Sequence, residues 1–515
     1  MDSSGKGIVY LIGAGPGDPE LITVKGNQLL NECDTVIYDN LVPQELIIAL
    51  PPHVEKYYAG KKAGRHTLSQ DKINELIVKP AKEGKTVVRL KGGDPYIFGR
   101  GGEEARYLKD HGIRFEIVPG ITAGAAGPAY AGIPCTDRSL ASYVVFAAGH
   151  KANEKDSNSV PWEWLAKAKN GTLVIYMGVS EFAAIASILV NNGMSPDTPA
   201  AVIERGTLPS QRVITSTLSQ LPDEARAKNI KPPAIFIIGD VINLQKHLTW
   251  LDNKPLLGAR VMVCRPVDQA QWMYQSLRHL GAEVLPYPTI AAEAQIDEAA
   301  WRAFNQIDKK PSIDNWLVFT SENGVRYFIE QFIFRYGDIR GLNNFKIAAV
   351  GFGTDRALLK YSIKADFIPT KATTESLAKE MLDSIDLKNA VVVRVRGNLA
   401  DGRVENALAD AQATVIPLQV YRTFHPKWPD GFKENLFENL PNLVIFTSGS
   451  SVRGLYEILS KDEIDMLMTK ANAVSIGPET TKMIQSFGIK VTIEAKEHSV
   501  PGIINELLKY YKEIK

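Results

Sequence analysis

Thirteen residues, Gly92 to Glu104 (GGDPYIFGRGGEE), constrain this chain more than any other stretch. They hold five glycines and one proline, directly after the strand-like run Thr86-Val87-Val88-Arg89-Leu90. Glycine allows positive φ and close approach of backbone to a ligand, and proline fixes a turn. In α/β folds small molecules bind at the carboxyl ends of strands. The stretch therefore predicts a ligand-floor loop in an α/β protein. A plain connecting loop would share the composition, but not the agreement with the other strand-end loops described below.

A chain of 515 residues exceeds one hydrophobic core and predicts two to four domains. With 45% hydrophobic and 23% charged residues it has the composition of a globular protein. Lys plus Arg number 59 against 58 Asp plus Glu, so net charge draws no polyanion from a distance and nucleic acid is not an expected partner. Cys33, Cys135 and Cys264 are far apart, which fits a reducing compartment and gives no metal-type spacing. No run of about 18 apolar residues predicts a membrane span. The expectation is a cytoplasmic protein with no metal, no nucleic acid and no membrane partner.

The first strand, Gly7 to Ile12, runs into Gly13-Ala14-Gly15-Pro16-Gly17-Asp18-Pro19. A pyrophosphate-binding turn opens straight into a helix. Here Pro16 and Pro19 interrupt, and a Thr23 cap predicts the helix only from there to about Glu32. That geometry suits a nucleoside lacking phosphates, such as S-adenosyl-methionine. The strand Thr35 to Tyr38 ends in Asp39, which in a dinucleotide enzyme would hold a ribose. Gly60 to His66 is a basic glycine loop, equally readable as solvated chain or as a carboxylate grip. A helix from about Ser69 to Glu83, the small-residue stretch Val118 to Tyr130, and a second α/β lobe from Ser142 follow. The predicted strands of that lobe are Tyr143–Ala147, Thr172–Tyr176, Ala200–Glu204, Arg212–Ser216 and Ala234–Ile238. Met177-Gly178 and Arg205-Gly206-Thr207 again put glycines at strand ends.

GAGPGD, VIYDNLV, GKKAG with His66, RLKGGDPYIFGRGGEE, PGIT, AYAGIP, YMG and GDV occur in that order across Ile8 to Asn243. In these motifs the first half resembles the uroporphyrinogen-III C-methyltransferases of the tetrapyrrole methylase family. The resemblance implies a two-lobed α/β enzyme, homodimeric, with S-adenosyl-methionine between the lobes (about 1–138 and 139–248). By position, Pro16, Gly92, Gly93, Asp94, Ile97, Thr122, Ala123, Met177 and Gly206 match its cofactor-contacting residues. Asp39 and Lys61 match its proton acceptor and donor. C-methylation leaves a cationic ring that must lose a proton, which makes Asp39 a better base than ribose ligand. Lys61, Lys62, Arg65, Arg100 and Arg138 are the expected partners of substrate carboxylates. Three departures touch the substrate pocket: Asp137 stands where the family has His, Lys62 where it often has Arg, and Thr122-Ala123-Gly124 where Thr-Ser-Ala is usual.

Residues 249–257 read as a linker, and the remaining 258–515 carry an internal repeat. Leu317-Val318-Phe319-Thr320-Ser321 recurs as Val444-Ile445-Phe446-Thr447-Ser448, with Gly351 and Thr354 answered by Gly477 and Thr480. Each copy predicts three strand–helix units of a parallel α/β domain. The strand-end hydroxyls fit either helix caps or hydrogen-bonding contacts to an anionic ligand. This half resembles uroporphyrinogen-III synthase. The resemblance implies one domain from 258–288 plus 426–515 and another from 289–425. It also implies Tyr421 as a weak acid for loss of hydroxyl from hydroxymethylbilane, and Thr354, Ser448 and Thr480 as substrate contacts. Together the halves imply a bifunctional enzyme making uroporphyrinogen III and methylating it at C2 and C7 to precorrin-2. The alternatives are a second half that only binds tetrapyrrole, or methylation at another precorrin carbon.

Overall fold

The computed structural model describes residues 7–60, 69–149, 160–308 and 315–514. Its first sheet forms where apolar runs end in glycine or aspartate. The strands are β1 (Ile8–Gly13), β2 (Thr35–Tyr38), β3 (Glu55–Tyr58), β4 (Thr86–Lys91) and β5 (Arg114–Val118). They pair in parallel in the order β3-β2-β4-β1-β5. Central strands of such a sheet are covered on both faces, which is why β1 and β2 read as almost unbroken apolar runs, while β4 adds the buried Arg89 and Lys91. Thr23 caps the helix Val24–Glu32 by accepting from the Gly26 amide, and Ser69 caps Gln70–Lys82 through Lys72.

The second lobe holds β6 (Tyr143–Ala148), β7 (Gly171–Tyr176), β8 (Pro199–Glu204), β9 (Arg212–Thr217) and β10 (Ala234–Ile238) in the order β6-β7-β10-β8-β9. Only β6 and β7 run parallel; β10 pairs antiparallel with β7 and β8, and β8 with β9. The chain then lays down β11 (Arg260–Val263) and β12 (Glu283–Pro286). It leaves for β13 (Ala291–Ala294), β14 (Asn315–Phe319), β15 (Lys346–Ala349), β16 (Val391–Gly397) and β17 (Thr414–Phe424). It returns with β18 (Leu443–Phe446), β19 (Asn472–Ser475) and β20 (Val491–Glu494). The third sheet, β12-β11-β18-β19-β20, is parallel throughout, whereas β13 joins the fourth, β13-β17-β16-β14-β15, antiparallel. Every sheet has helices packed with it, an α/β architecture.

Contacts divide the chain into two compact units, Ile290–Pro426 and everything on either side of it. In the larger unit the first and third sheets are not separate bodies. One core cluster holds Val36, Tyr38, Ile47 and Leu50 from the first half together with Met262, Leu285, Tyr287, Trp428, Phe432 and Phe446 from the second. The segment 249–257, expected as a linker, is packed: Leu251 and Leu256 are buried, because the chain lies against its own core instead of spanning solvent. Arg278 closes the contact, 2.6 Å from Glu45 and 3.5 Å from Glu20. Burial pushes the Glu45 carboxyl up while Arg278 opposes that shift. Phe432→Ala, which empties a fully buried ring from this shared cluster, is expected to cost about 3–5 kcal/mol. The check is hydrogen exchange on the β2 peptide of the first half, where protection should fall although the substitution lies in the second.

Candidate functional site

The loops after β1, β4 and β5 meet backbone to backbone. Gly15 and Gly93 form an isolated antiparallel bridge, with Gly93 N donating to Gly15 O at 2.7 Å. A Cβ on Gly13 would lie 2.5 Å from Gly93 O and from the Gly120 Cα, and one on Gly120 only 2.2 Å from Gly93 O. Side chains do not fit at Gly13 or Gly120, and Gly93 holds a φ of +67°, so these glycines set the spacing of the three loops. Asp94 locks the arrangement: Oδ1 accepts from the amides of Tyr96 and Ile97, and Oδ2 from that of Gly120 at 2.9 Å. Expected as a ribose acceptor, its carboxylate already holds three backbone amides and keeps about one lone-pair position free.

From there the chain reaches the other lobe. Thr122 opens the helix Ala123–Tyr130, and its hydroxyl lies 2.6 Å from Tyr176 Oη, which also accepts from the Gly124 amide. Tyr176 ends β7 beside Met177, and its ring packs on Phe98 with centroids 4.9 Å apart. Gly206 faces Gly127 of the same helix. Pro16 begins the loop whose Asp18 is held by the Thr207 hydroxyl at 3.1 Å and by Tyr130 Oη at 2.8 Å. Gly93, Asp94, Ile97, Thr122 and Gly206 make these contacts themselves, and Pro16, Gly92, Ala123 and Met177 lie within two residues of ones that do. Phe98, Arg100, Met177, Arg205 and Thr207 have positive φ of 52° to 71°, a strained region for such side chains that concentrates at functional sites. Ile97, Phe98, Ile121 and Met177 expose apolar surface there. Tyr176, an aromatic at a strand end, reads in the sequence as core, and Phe98 carries no signal of its own within the glycine loop.

Asp39 is held by a buried row of alternating charge. Its Oδ1 accepts from the Leu41 amide at 3.1 Å, and its Oδ2 lies 3.5 Å from Arg89 Nη2. Arg89 Nε is 3.2 Å from Glu104 Oε1, which also takes Lys91 Nζ at 3.1 Å and Gln70 Nε2 at 3.2 Å. Arg89, Lys91 and Glu104 are at most 5% exposed. Burial, then Arg89, pull the Lys91 ammonium below its ordinary value. The sequence places Glu104 at the positive end of the helix Gly101–Asp110, but its main partners are these two strand cations. Arg100, expected toward substrate, is exposed and forms a two-point pair with Glu103 at 2.9 and 2.7 Å. Asp137 closes a turn by accepting from the Ser139 and Leu140 amides, and Arg138 is exposed. Lys61, Lys62 and Arg65 lie outside the described residues.

A cavity of about 1230 Å³ in the same unit reaches from Pro16, Asn40 and Leu41 to Arg260, Arg278 and Glu283. Its arginines are already paired: Arg205 and Arg260 each lie 3.1 Å from Glu283 Oε1, and Arg278 holds Glu45. Neutralised cations offer little to a polycarboxylate. Among the described residues no group of three His, Cys, Asp or Glu side chains is placed for a metal ion.

In the second half the repeat recurs in space. Ser321 after β14 and Ser448 after β18 cap their helices, accepting from the amides of Gly324 and Ser451. Thr354 and Thr480 sit one turn into the helices Phe352–Leu359 and Pro478–Ser486, both buried. In the smaller unit Tyr421 Oη lies 3.1 Å from the Ser321 hydroxyl, its ring is stacked on Tyr327, and Gly353 adjoins Glu322. Tyr421 and Thr354 thus lie in the smaller unit, and Ser448 and Thr480 in the larger.

Glu104→Gln strands Arg89 and Lys91 with too little negative charge, and is expected to cost about 3–5 kcal/mol in urea unfolding. Between the lowered folded value of Lys91 and its ordinary 10.5, the unfolded chain binds more protons and stability rises with pH. Removing the attraction of Glu104 should start that rise at a lower pH, which unfolding across pH measures.

Two family models match. Tetrapyrrole (Corrin/Porphyrin) Methylases covers residues 8–222, and Uroporphyrinogen-III synthase HemD covers residues 273–505. The porphyrin biosynthesis protein HemD of Ruminiclostridium josui is 34% identical over 505 residues, 98% of each chain. The S-adenosyl-L-methionine-dependent uroporphyrinogen III methyltransferase of Methanosarcina barkeri is 50% identical over 246 residues, 48% of this chain and 96% of that one. Among solved structures, uroporphyrin-III C-methyl transferase from Thermus thermophilus complexed with S-adenyl homocysteine is 38% identical, with a TM-score of 0.39 over 46% of this chain and 100% of that one. The chain belongs to the family of bifunctional tetrapyrrole-biosynthesis enzymes that join a tetrapyrrole methylase to a uroporphyrinogen-III synthase.

Proposed function

We propose that the second half closes hydroxymethylbilane to uroporphyrinogen III and that the first methylates this product at C2 and C7 to give precorrin-2. The observation that carries the reading is the presence of both family domains in one chain, matched end to end by a relative. One half then makes what the other consumes. S-adenosyl-methionine supplies the methyl group. The residues present fit it: a Cβ on Gly13 or Gly120 would strike a neighbouring loop, the α-helix after β1 starts only at Val24, and exposed Ile97 and Met177 offer apolar surface to a nucleoside and a thioether. Pro16, Gly92, Gly93, Asp94, Thr122, Ala123 and Gly206 would complete its contacts.

Methylation at a ring carbon leaves positive charge on the ring, and Asp39 accepts the proton whose loss restores neutrality. Arg89 fixes the orientation of that carboxylate, and Leu41 holds its other oxygen. Lys61 is assigned as the donor and Arg100 as a substrate contact. In the second half Tyr421 donates to the departing hydroxyl, with Thr354, Ser448 and Thr480 on the carboxylates. We place the enzyme in the cytoplasm as a homodimer through the methyltransferase half, a state that sedimentation tests. Among the described residues no helix is long and apolar enough to cross a membrane.

Incubation with hydroxymethylbilane, with and without S-adenosyl-methionine, tests both halves. Dimethylated product is expected with cofactor and the type III isomer without it. Type I isomer alone would sink the synthase assignment, and no dimethylated product from supplied uroporphyrinogen III would sink the methylase one. Asp39→Asn should keep cofactor affinity and lose about 10²–10⁴-fold in turnover; full activity removes Asp39 from the mechanism. Tyr421→Phe should shift the ring-closed product toward the type I isomer, and an unchanged isomer ratio excludes it as the acid.

A further inference from the structure

We propose that the segment Trp428–Phe432, which belongs to the synthase half, is a positioning element for methyl transfer: it braces β2 so that Asp39 meets substrate in one orientation. The inference rests on Asp39 acting as the proton acceptor. Asp39 follows directly on Tyr38, the last residue of β2. Tyr38 is 4% exposed, and its hydroxyl donates to the Asp430 carbonyl at 3.2 Å. Its register partner Tyr58, at the end of β3, packs on it with centroids 5.5 Å apart. Tyr58 in turn lies against Gly431, whose φ is +86° and where a Cβ would lie 3.1 Å from the Tyr58 ring. Burial first, and then the Asp39 carboxylate, push the Tyr58 phenol up to about 12, which records how near this clamp stands to Asp39.

The bracing segment is itself held firmly. Trp428 Nε1 donates to the Pro288 carbonyl at 2.9 Å, and its ring meets Tyr287 edge to face. Tyr287 Oη lies 2.8 Å from Phe432 O and 3.1 Å from Gln44 Oε1, five residues beyond Asp39. Asp39 therefore has a fixed neighbour on each side: Arg89 from the sheet, and the Tyr38–Tyr58 pair seated on Asp430 and Gly431. A carboxylate that must meet one ring carbon loses rate when its strand end drifts by a fraction of an ångström. Asp430 is exposed, so water can replace Tyr38 at its carbonyl and folding changes little when that hydroxyl is removed.

The test uses the full chain carrying Tyr38→Phe, with supplied uroporphyrinogen III and S-adenosyl-methionine. We expect methylation kcat to fall about fivefold, with the cofactor KM within about twofold of wild type. Ring closure of hydroxymethylbilane and the unfolding midpoint should stay as in wild type. Gly431→Ala, which presses on Tyr58 from the other side, should give the same split between kcat and KM. Unchanged kcat in both variants overturns the proposal. So does a fall in Tyr38→Phe matched by loss of ring closure or of the unfolding midpoint, because that pattern marks general damage; Gly431→Ala carries backbone strain at φ +86° and is read by its kcat-to-KM split alone. A wild-type chain that does not methylate uroporphyrinogen III strikes instead at the assigned reaction, before either variant is read.

Discussion

Three loops cross at Gly13, Gly93 and Gly120, where a Cβ on Gly13 or Gly120 would strike the backbone of a neighbouring loop and Gly93 holds a φ of +67°, and the rest of the candidate site hangs from that crossing. Because the loops touch through backbone, their spacing depends on peptide geometry and tolerates no rotamer choice. Asp94 then ties three amides from two of those loops with one side chain, and Tyr176 carries the arrangement across to the second lobe. Positive φ at Phe98, Arg100, Met177, Arg205 and Thr207 is held in place by these contacts. These contacts preform the surface that links the two lobes, which limits the ordering that binding there would impose.

Beneath that surface lies a second constraint. Arg89 and Lys91 of β4 are buried against Glu104 of the helix above them, and burying charge is tolerated only when it is paired and hydrogen-bonded. The alternating row from Asp39 to Lys91 meets that condition and makes the orientation of Asp39 depend on residues that never touch substrate. The other side of the same strand end is covered by the synthase half, through a core shared by both. Joining the two enzymes in this chain is therefore a packing relation as well as a covalent one.

Much of the framework could be read from residue order. The strands at Thr35–Tyr38 and Ala234–Ile238 have the expected bounds, the Thr23 cap stands where its hydroxyl predicts, and the helix expected from about Ser69 runs Gln70–Lys82. Glycine-rich turns after apolar runs announced an α/β chain with ligand loops, and the repeat of Leu317–Ser321 in Val444–Ser448 announced the paired sheets of the second half. These signals are local: a cap, a turn or an apolar run is decided within a few residues. The serines of the repeat were ambiguous, and Ser321 and Ser448 have proved to be caps.

What tertiary structure alone decided are contacts between residues distant in sequence. Arg89 meets Asp39 only because β2 and β4 are neighbours, and Glu104 reaches them only because its helix folds back over the sheet. The packing of 249–257 and the seat of Tyr38 on Asp430, 392 residues away, leave no periodicity in the chain. The sequence by itself determined the families, the α/β class and the position of the glycine loops, because backbone freedom and apolar patterning are written residue by residue. Which charge faces Asp39, and which part of the other enzyme braces it, followed only from the folded chain, since Coulomb attraction and close packing act on distance in space.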